Sequence, residues 1–150
     1  MWEAWKRVKA NRGSAGIDDI TIQHIVQEYG EEQFVRDTQQ QLLENAYRPK
    51  PVERKDIPKG DGKTRPLGIH VIWDKLVQMA TKIVLEVIFE ADFKDCSFGF
   101  RPKRSAKQAI ERIHKTVNYG RVYWVVDLDI TGYFNHIPHD KLLKLVEQRF

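Results

Sequence analysis

The sequence has one cysteine and no long hydrophobic run, and each scarcity excludes a class of protein. Because Cys96 is the single cysteine among 150 residues, the chain can form neither an internal disulfide framework nor a cysteine-rich zinc site, and it suits a reducing cytosol. No apolar run approaches the roughly 18 residues of a membrane span, and the N-terminus lacks a signal-peptide profile. The sequence therefore predicts a cytoplasmic protein without a membrane segment.

The sequence also lacks the glycine pattern of a nucleotide-binding loop. The Asn11–Asp19 segment reads N-R-G-S-A-G-I-D-D, which is typical of a loop. Gly13 and Gly16 follow a helical pattern, without the preceding strand and the Lys-Ser/Thr pair that a P-loop requires. The segment therefore predicts a loop between helices and not a phosphate-binding fingerprint.

The sequence does contain enough apolar residues for a core, together with a small basic excess. Hydrophobic residues make up 41% of the chain and aromatic residues 11%, which argues against disorder. The length fits one domain of ordinary size or a piece of a larger protein. With 25 Lys and Arg against 21 Asp and Glu, the formal net charge is +4, which favours a polyanionic partner without requiring one.

Helical spacing of apolar residues predicts six helices. They are expected at Met1–Ala10, Thr21–Tyr29, Glu32–Asn45, Val71–Ala91, Ser105–His114 and His139–Phe150. The fourth has a broad apolar face and is predicted to lie in the core, and the fifth should turn Ile110 and Ile113 inward. Short extended segments separate these helices, so the prediction is an α/β (α+β) fold in which helices dominate.

A β-hairpin is predicted in the middle of the chain, where Pro51–Ile57 and Thr64–Ile69 flank a Lys-Gly-Asp-Gly-Lys turn. Basic residues lie on both arms and at the tip, namely Arg54, Lys55, Lys59, Lys63 and Arg65. Such a cluster could grip a triphosphate or backbone phosphates. A solvated surface hairpin would explain the same residues, and the sequence alone leaves both interpretations open.

The Asp92–Ser105 loop, D-F-K-D-C-S-F-G-F-R-P-K-R-S, interleaves aromatic and basic residues. The basic members Arg101, Lys103 and Arg104 are predicted to contact nucleic acid, because this pattern suits phosphate contact and base stacking. Phe98 and Phe100 are expected to be buried anchors more readily than platforms for bases.

A buried strand is predicted at Val122–Val126, which ends in Asp127 and Asp129. Strand side chains alternate between faces, so the two acids point to the same side. Two carboxylates on one face are costly to desolvate unless a cation sits there. One interpretation is an acid that caps the following helix, and the other is a metal-binding strand in the palm of a nucleotidyl-transfer enzyme.

Four blocks of the sequence resemble the N-terminal part of a bacterial group II intron reverse transcriptase, also called a maturase. They read N-R-G-S-A-G-I-D, then Y-R-P-K-P-V-E-R-K-D-I-P-K-G-D-G-K-T-R-P-L-G-I, then L-E-V-I-F-E-A-D-F-K-D-C-S-F-G-F-R-P-K-R-S-A, then V-V-D-L-D-I-T-G-Y-F-N-H-I. Each block stands in the family's order and near its spacing.

The resemblance implies a right-hand polymerase, with fingers at residues 1–120 and the start of the palm at 121–150. An RNA-directed DNA polymerase of this kind adds dNTPs to a DNA primer on an RNA template, here expected to be intron RNA, and it could aid intron splicing. The implied cofactor is a pair of Mg²⁺ ions, with Mn²⁺ as an alternative, because such hard ions take oxygen ligands and stabilise both the attacking and the leaving oxygen.

The resemblance also implies roles for single residues. Asp129 would be the catalytic carboxylate and first metal ligand, with the backbone carbonyl of Ile130 as a second ligand. Phe134 matches the family's aromatic gate, which packs under the sugar and rejects a 2′-hydroxyl. Lys59 and Arg65 match the residues that clamp the dNTP triphosphate.

Three positions depart from the family pattern or lack a family role. Ile69–Val71 stands where the family continues I-P-T, and Asn135 replaces a more common Asp. Asp127 has no counterpart among the family's metal ligands, so we expect it to be a structural acid.

The family's second carboxylate box, an aromatic-x-Asp-Asp hairpin, does not occur within these residues. Asp18-Asp19 is the single Asp-Asp pair, and it lies in the first loop. We therefore expect the 150-residue chain alone to show no primer extension. Two alternatives remain open at this point, a catalytically inactive RNA-binding remnant and a diversity-generating or retron-type reverse transcriptase. The oligomeric state is not predicted.

Overall fold

The computed structural model describes residues 1–58, 60, 62–120 and 122–150 and shows a mixed structure of helices and one small antiparallel sheet. The elements are α1 (Trp2–Ala10), α2 (Ile22–His24) continued by a π-helical turn (Ile25–Tyr29), α3 (Glu31–Leu43), β1 (Glu53–Pro58), β2 (Thr64–Ile69), α4 (Ile72–Glu90), α5 (Ala106–Tyr119), a 3-10 helix (Tyr133–His136) and α6 (His139–Glu147). The chain divides into two compact units, Met1–Val87 and Ile88–Phe150.

The core of the first unit forms around aromatic rings. Trp5 of α1 and Phe34 of α3 are fully buried, with ring centroids 4.8 Å apart. Trp73 meets Phe34 edge-on at 4.8 Å and Tyr29 at 5.7 Å. Such tilted pairs are the favoured aromatic geometry and add to the burial of apolar area. The apolar faces of α1, α3 and α4 therefore meet in one hydrophobic cluster.

Helix α4 packs against that core as far as Ile83. Ile72 and Leu76 are fully buried, whereas Val84 and Val87 are exposed. The prediction of a core helix is therefore confirmed for its N-terminal turns and wrong for its last turns. The reason is that a broad apolar face shows what a helix can bury, while burial also requires a neighbouring element along its whole length.

The predicted hairpin is present, with β1 and β2 paired antiparallel from Glu53 opposite Ile69 to Pro58 opposite Thr64. Its observed bounds differ from the predicted ones by one or two residues on the first arm. The turn between the arms includes two residues, Lys59 and Asp61, that lie outside the described part of the chain.

Helix α5 begins at a capping box in the second unit. The Ser105 hydroxyl accepts the Gln108 N–H at 3.3 Å, and the Gln108 side chain accepts the Ser105 N–H at 2.9 Å. This reciprocal pairing satisfies two backbone donors that a helix start leaves free. The predicted inward packing of Ile110 and Ile113 is wrong, because both side chains are more than half exposed.

The predicted buried strand at Val122–Val126 is also not observed. The segment is neither helix nor strand, and Trp124 is 87% exposed. A strand needs a neighbour that pairs its N–H and C=O groups. The one sheet in the described residues is the β1–β2 pair. Val122–Val126 therefore has no strand to pair with among those residues, although its composition is typical of a strand.

Within the described residues, no helix combines the length and the apolar character that crossing a bilayer would need.

Candidate nucleic-acid interface

The hairpin register places its basic residues on two different faces. Residues directly opposite each other in an antiparallel pair share a face, and Ile57 lies opposite Arg65 while Lys55 lies opposite Leu67. Because faces alternate along a strand, Lys55 and Arg65 lie on one face and Arg54 on the other. Lys55 and Arg65 are exposed, so the first face presents two cations to solvent.

Two acids on β1 partly neutralise this charge. Arg54 Nε lies 3.3 Å from Asp56 Oδ1, and Lys55 Nζ lies 3.5 Å from Glu53 Oε1. All four side chains are substantially exposed, so each pair contributes little to stability and leaves the cation able to exchange its partner for a phosphate.

The tip of the hairpin is described only in part. Lys63 is exposed beside the start of β2. Lys59, predicted with Arg65 to clamp a triphosphate, lies outside the described residues, so its role stays a prediction.

The Asp92–Ser105 loop holds its three basic residues in different surroundings. Arg101 has a side chain only 6% exposed and donates to Glu90. Arg104 is partly exposed, pairs with Asp95 at 2.9 Å, and stacks its guanidinium 5.7 Å from the Phe98 ring centroid. Lys103 is exposed. Lys103 and Arg104 are therefore accessible to a phosphate, while Arg101 is engaged within the protein.

The carboxylates predicted for the palm lie on an exposed segment of the second unit. Asp127 and Asp129 are both exposed. The carbonyl of Ile130 accepts the backbone N–H of Tyr133 at 3.2 Å, which starts the 3-10 helix. A carbonyl oxygen has a second lone pair, so this bond leaves one acceptor site at the predicted ligand.

Phe134 lies in the same 3-10 helix and is 79% exposed. Its one ring contact is with Tyr133, at a centroid distance of 5.4 Å in an edge-on arrangement, as far as the described residues show. An ordinary core aromatic would be buried. The exposed position leaves the ring accessible, and its role as a gate stays a prediction.

The donor chemistry at Asp129 and Ile130 suits Mg²⁺, because both offer hard oxygen atoms. A complete cation site needs more ligands than this pair. Among the residues that the structure describes, no three or more His, Cys, Asp or Glu side chains come together to hold a metal ion. The Mg²⁺ prediction therefore keeps its chemical basis at Asp129 and gains no full ligand set.

Sequence reasoning missed a cavity in the first unit whose lining is largely apolar and includes two lysines. The cavity has a volume of about 480 Å³, and its lining includes Lys75 and Lys82 of α4 together with Gly13 of the first loop. Lys75 Nζ donates to the Ser14 carbonyl, and burial lowers the pKa of Lys75 below its ordinary value. The two lysines stand seven residues apart, two helical turns on one face, which is the signal that could have paired them.

Comparison with known proteins identifies the class. Residues 57–149, more than half of the chain, match the family described as Reverse transcriptase (RNA-dependent DNA polymerase). The chain therefore belongs to the reverse transcriptase family.

Individual relatives narrow the assignment. The chain is 38% identical over 146 residues to the group II intron-encoded protein LtrA of Lactococcus lactis subsp. cremoris, covering 95% of this chain and 23% of the relative. It is 41% identical over 120 residues to protein YkfC of Escherichia coli, covering 78% of this chain and 31% of the relative. An uncharacterized 91 kDa protein in the cob intron of Schizosaccharomyces pombe is 43% identical over 99 residues, 63% of this chain and 12% of that protein.

The group II intron-encoded relative LtrA, with the family match, places the chain with the group II intron reverse transcriptases, or maturases. The recognition from the four sequence blocks is thus confirmed. The chain spans about a third or less of the length of the relatives described above.

Proposed function

We propose that this chain carries the template- and nucleotide-holding part of an RNA-directed DNA polymerase, with fingers at residues 1–120 and the start of the palm at 121–150. The complete protein would copy RNA, expected to be intron RNA, by adding dNTPs to a DNA primer in the bacterial cytoplasm, and it could aid splicing of that intron. Membership of the reverse transcriptase family supports the reaction class.

The observation that carries the proposal is the exposed basic face of the hairpin. Lys55 and Arg65 share that face, and the cations of the loop, Lys103 and Arg104, are accessible in the second unit. Exposed guanidinium groups suit phosphates because they bind two oxygens at once. Each such contact releases counterions from nucleic acid, so binding should weaken steeply as salt rises.

Asp129 would act as a metal ligand in the complete protein, with the Ile130 carbonyl beside it. Mg²⁺, when bound, would supply positive charge to the oxygens that attack and leave during nucleotide addition. The chain's own contribution is to hold the Asp129 carboxylate at an exposed position, four residues before the first residue of the 3-10 helix, Tyr133. Phe134 would occupy the space beneath the sugar of the incoming nucleotide.

The test is template-dependent DNA synthesis by the full-length protein that contains this chain. Asp129→Asn keeps the shape of the side chain and removes its charge, so synthesis should fall by at least about 100-fold. Asp127→Asn is the matched control, because it makes the same change two residues away and should retain most activity. Equal losses in both variants, or none in Asp129→Asn, would contradict the role given to Asp129.

A second candidate function is RNA binding without catalysis, which the exposed cations of the hairpin and of the Asp92–Ser105 loop would support on their own. RNA binding by the 150-residue chain should fall steeply between low and high salt under either function. Synthesis by the full-length protein separates the two. Binding that is absent, or flat over a tenfold salt range, would overturn both.

A further inference from the structure

We propose that Arg101 is a positioning residue which acts through Glu90 and holds the Asp92–Ser105 loop in the shape that presents Lys103 and Arg104 to RNA. The inference rests on the proposed function for the RNA, and on the contacts of Arg101 alone for the positioning. It reassigns a residue that the sequence pattern had placed among the nucleic-acid contacts.

Each nitrogen of the Arg101 guanidinium donates to a protein group. Nε lies 3.1 Å from both Glu90 carboxylate oxygens, and Nη2 lies 2.6 Å from Oε1. Nη1 donates to the carbonyls of Lys94 at 2.7 Å and Ser97 at 2.9 Å. The guanidinium carbon also stands 5.1 Å from the centroid of the Phe93 ring. One side chain therefore ties the end of α4 to both ends of one turn of the loop, which the Ser97 N–H closes on the Lys94 carbonyl.

This arrangement argues against a phosphate contact. The Arg101 side chain is only 6% exposed, and a phosphate would have to displace the Glu90 carboxylate to reach its donors. Separating such an ion pair leaves one charge without its partner, which costs free energy. The hydrogen bonds from Arg101 also lower the pKa of Glu90, so the carboxylate stays ionised at neutral pH and keeps the guanidinium occupied.

The loop contains backbone that needs such support. Phe100 and Lys103 both have positive φ, at 56° and 59°. Residues other than glycine adopt this left-handed region at a cost and persist there when the surroundings hold them. Arg101 lies between the two strained positions, and its five donor contacts fix the chain at that point. The direction in which Lys103 leaves the loop therefore depends on Arg101.

A second set of contacts fixes the other side of the loop. Arg104 pairs with the Asp95 carboxylate at 2.9 Å, and Arg112 of α5 donates to the Asp95 carbonyl at 3.1 Å. The Asp95 carboxylate is exposed, at 84% for its side chain, so an RNA phosphate can replace it. Arg104 is thus a cation held by an exchangeable acid, and Arg101 is a cation held by a partly buried one.

The experiment measures RNA binding by the 150-residue chain with Arg101→Gln, Glu90→Gln and the double variant. If Arg101 acts through Glu90, both single variants should weaken binding by a similar factor, and the double variant should weaken it no further. If Arg101 instead contacted phosphate, Glu90→Gln would free the guanidinium and strengthen binding. That opposite sign would overturn the proposal.

Two matched variants control for charge. Glu111→Gln adds the same unit of charge on α5, where Glu111 faces Lys107 at 4.0 Å on the surface, and should leave the loop unchanged. Lys103→Ala removes a proposed phosphate contact, so it should lower the slope of log K against log salt by about 0.7 to 0.9. Because Arg101 is proposed to act through Lys103 and Arg104, Arg101→Gln should lower that slope in the parent chain and leave it unchanged in a Lys103→Ala/Arg104→Ala variant, where those contacts are already absent. A further fall of about 0.7 to 0.9 in that variant would assign Arg101 to the phosphate.

Amide hydrogen exchange, measured without RNA, separates this inference from the proposed function. Glu90→Gln and Arg101→Gln should each speed exchange across residues 92–104 by about tenfold or more, the factor expected from losing a charged hydrogen bond. Unchanged exchange would overturn the positioning role even if RNA still bound. Faster exchange in a chain that binds no RNA would support the positioning of the loop and overturn its presentation to RNA.

Discussion

Tyr47 donates its hydroxyl hydrogen to the carboxylate of Asp74, a residue that is 2% exposed in the core of the first unit. The second carboxylate oxygen of Asp74 accepts the backbone N–H of Lys50 at 3.0 Å. The pKa of Tyr47 is raised, mainly by burial of the phenol and secondly by its hydrogen bond to Asp74. One buried acid therefore holds the segment between α3 and the hairpin against the start of α4.

Tyr47→Phe should destabilise the chain by about 1–3 kcal/mol, because it leaves a buried carboxylate oxygen without its donor. Tyr29→Phe is the matched control. It removes a hydroxyl that bonds the exposed Asp37 at 2.7 Å and should cost less than about 1 kcal/mol. Urea unfolding of the two variants measures the difference. Equal costs would mean that the burial of Asp74 does not determine the stability contribution.

Gly16→Ala should also destabilise the first unit. A Cβ at Gly16 would lie 2.7 Å from the Val71 nitrogen and 2.8 Å from the His70 carbonyl carbon. Such crowding against backbone typically costs about 1–3 kcal/mol. Gly60→Ala is the control, because a Cβ there meets nothing within 4 Å. Equal shifts in thermal unfolding for both variants would contradict the close approach of the first loop to His70 and Val71, which precede α4.

Stability should decline in acid partly through Glu31. Its carboxylate accepts Lys9 Nζ at 2.6 Å and Trp5 Nε1 at 2.5 Å, and these bonds, led by that from Lys9, lower its pKa. Because the folded pKa is depressed, the contribution is complete above the ordinary glutamate value of about 4.3 and is lost as pH falls through the lower folded value.

Glu31→Gln should therefore flatten the pH dependence of unfolding free energy below about pH 5, since the side chain no longer titrates. Glu32→Gln, in the same turn of α3 but exposed, should leave the curve's shape closer to that of the parent. Denaturant unfolding at a series of pH values makes the comparison. A curve for Glu31→Gln as steep as the parent's would show that the ion pair with Lys9 adds nothing.

Arg65→Ala in the full-length protein should mainly raise the apparent KM for dNTP, because a contact with two phosphate oxygens is lost. Arg65→Lys should recover little, since an ammonium cannot make the same paired contact. Arg54→Ala lies on the opposite hairpin face and should leave that KM close to the parent value. Steady-state kinetics with varied dNTP would contradict the assignment if Arg54→Ala had the larger effect on KM.

Phe134→Val should raise ribonucleotide incorporation relative to deoxyribonucleotide incorporation in the full-length protein, since a smaller side chain makes room for the 2′-hydroxyl. Tyr133→Val, one residue earlier in the same 3-10 helix, is the control and should leave the ratio unchanged. The measurement is the ratio of dNTP to NTP efficiency, corrected for active fraction. An unchanged ratio in Phe134→Val would remove Phe134 from the sugar pocket.

The sequence predicted the hairpin well because its signals are local. The turn composition and the alternating arms define β1 and β2 within a short stretch, and their pairing needs no distant partner. The start of α5 was equally readable, because Ser105 and Gln108 cap it through bonds that span three residues. Where structure depends on neighbouring positions alone, composition and spacing are sufficient.

The contacts of Arg101 could not be predicted from composition and spacing. A basic residue among aromatics looks alike whether it faces solvent or a carboxylate, and Glu90 stands eleven residues away on a helix with no special spacing to it. Val122–Val126 shows the same limit, since its composition predicts a strand but pairing depends on a second segment. Tertiary partners decided both cases.

The exposed Val122–Val126 segment also bears on how the chain behaves in solution. Five β-branched or aromatic residues in a row, without proline and without charge, form the kind of stretch that stacks into cross-β fibrils when it is accessible. Asp127 and Asp129 directly follow it and would oppose stacking by repulsion between copies. Replacing both acids with asparagine would remove that repulsion, so the Asp127→Asn/Asp129→Asn double variant of the isolated chain should form fibrils faster than the parent.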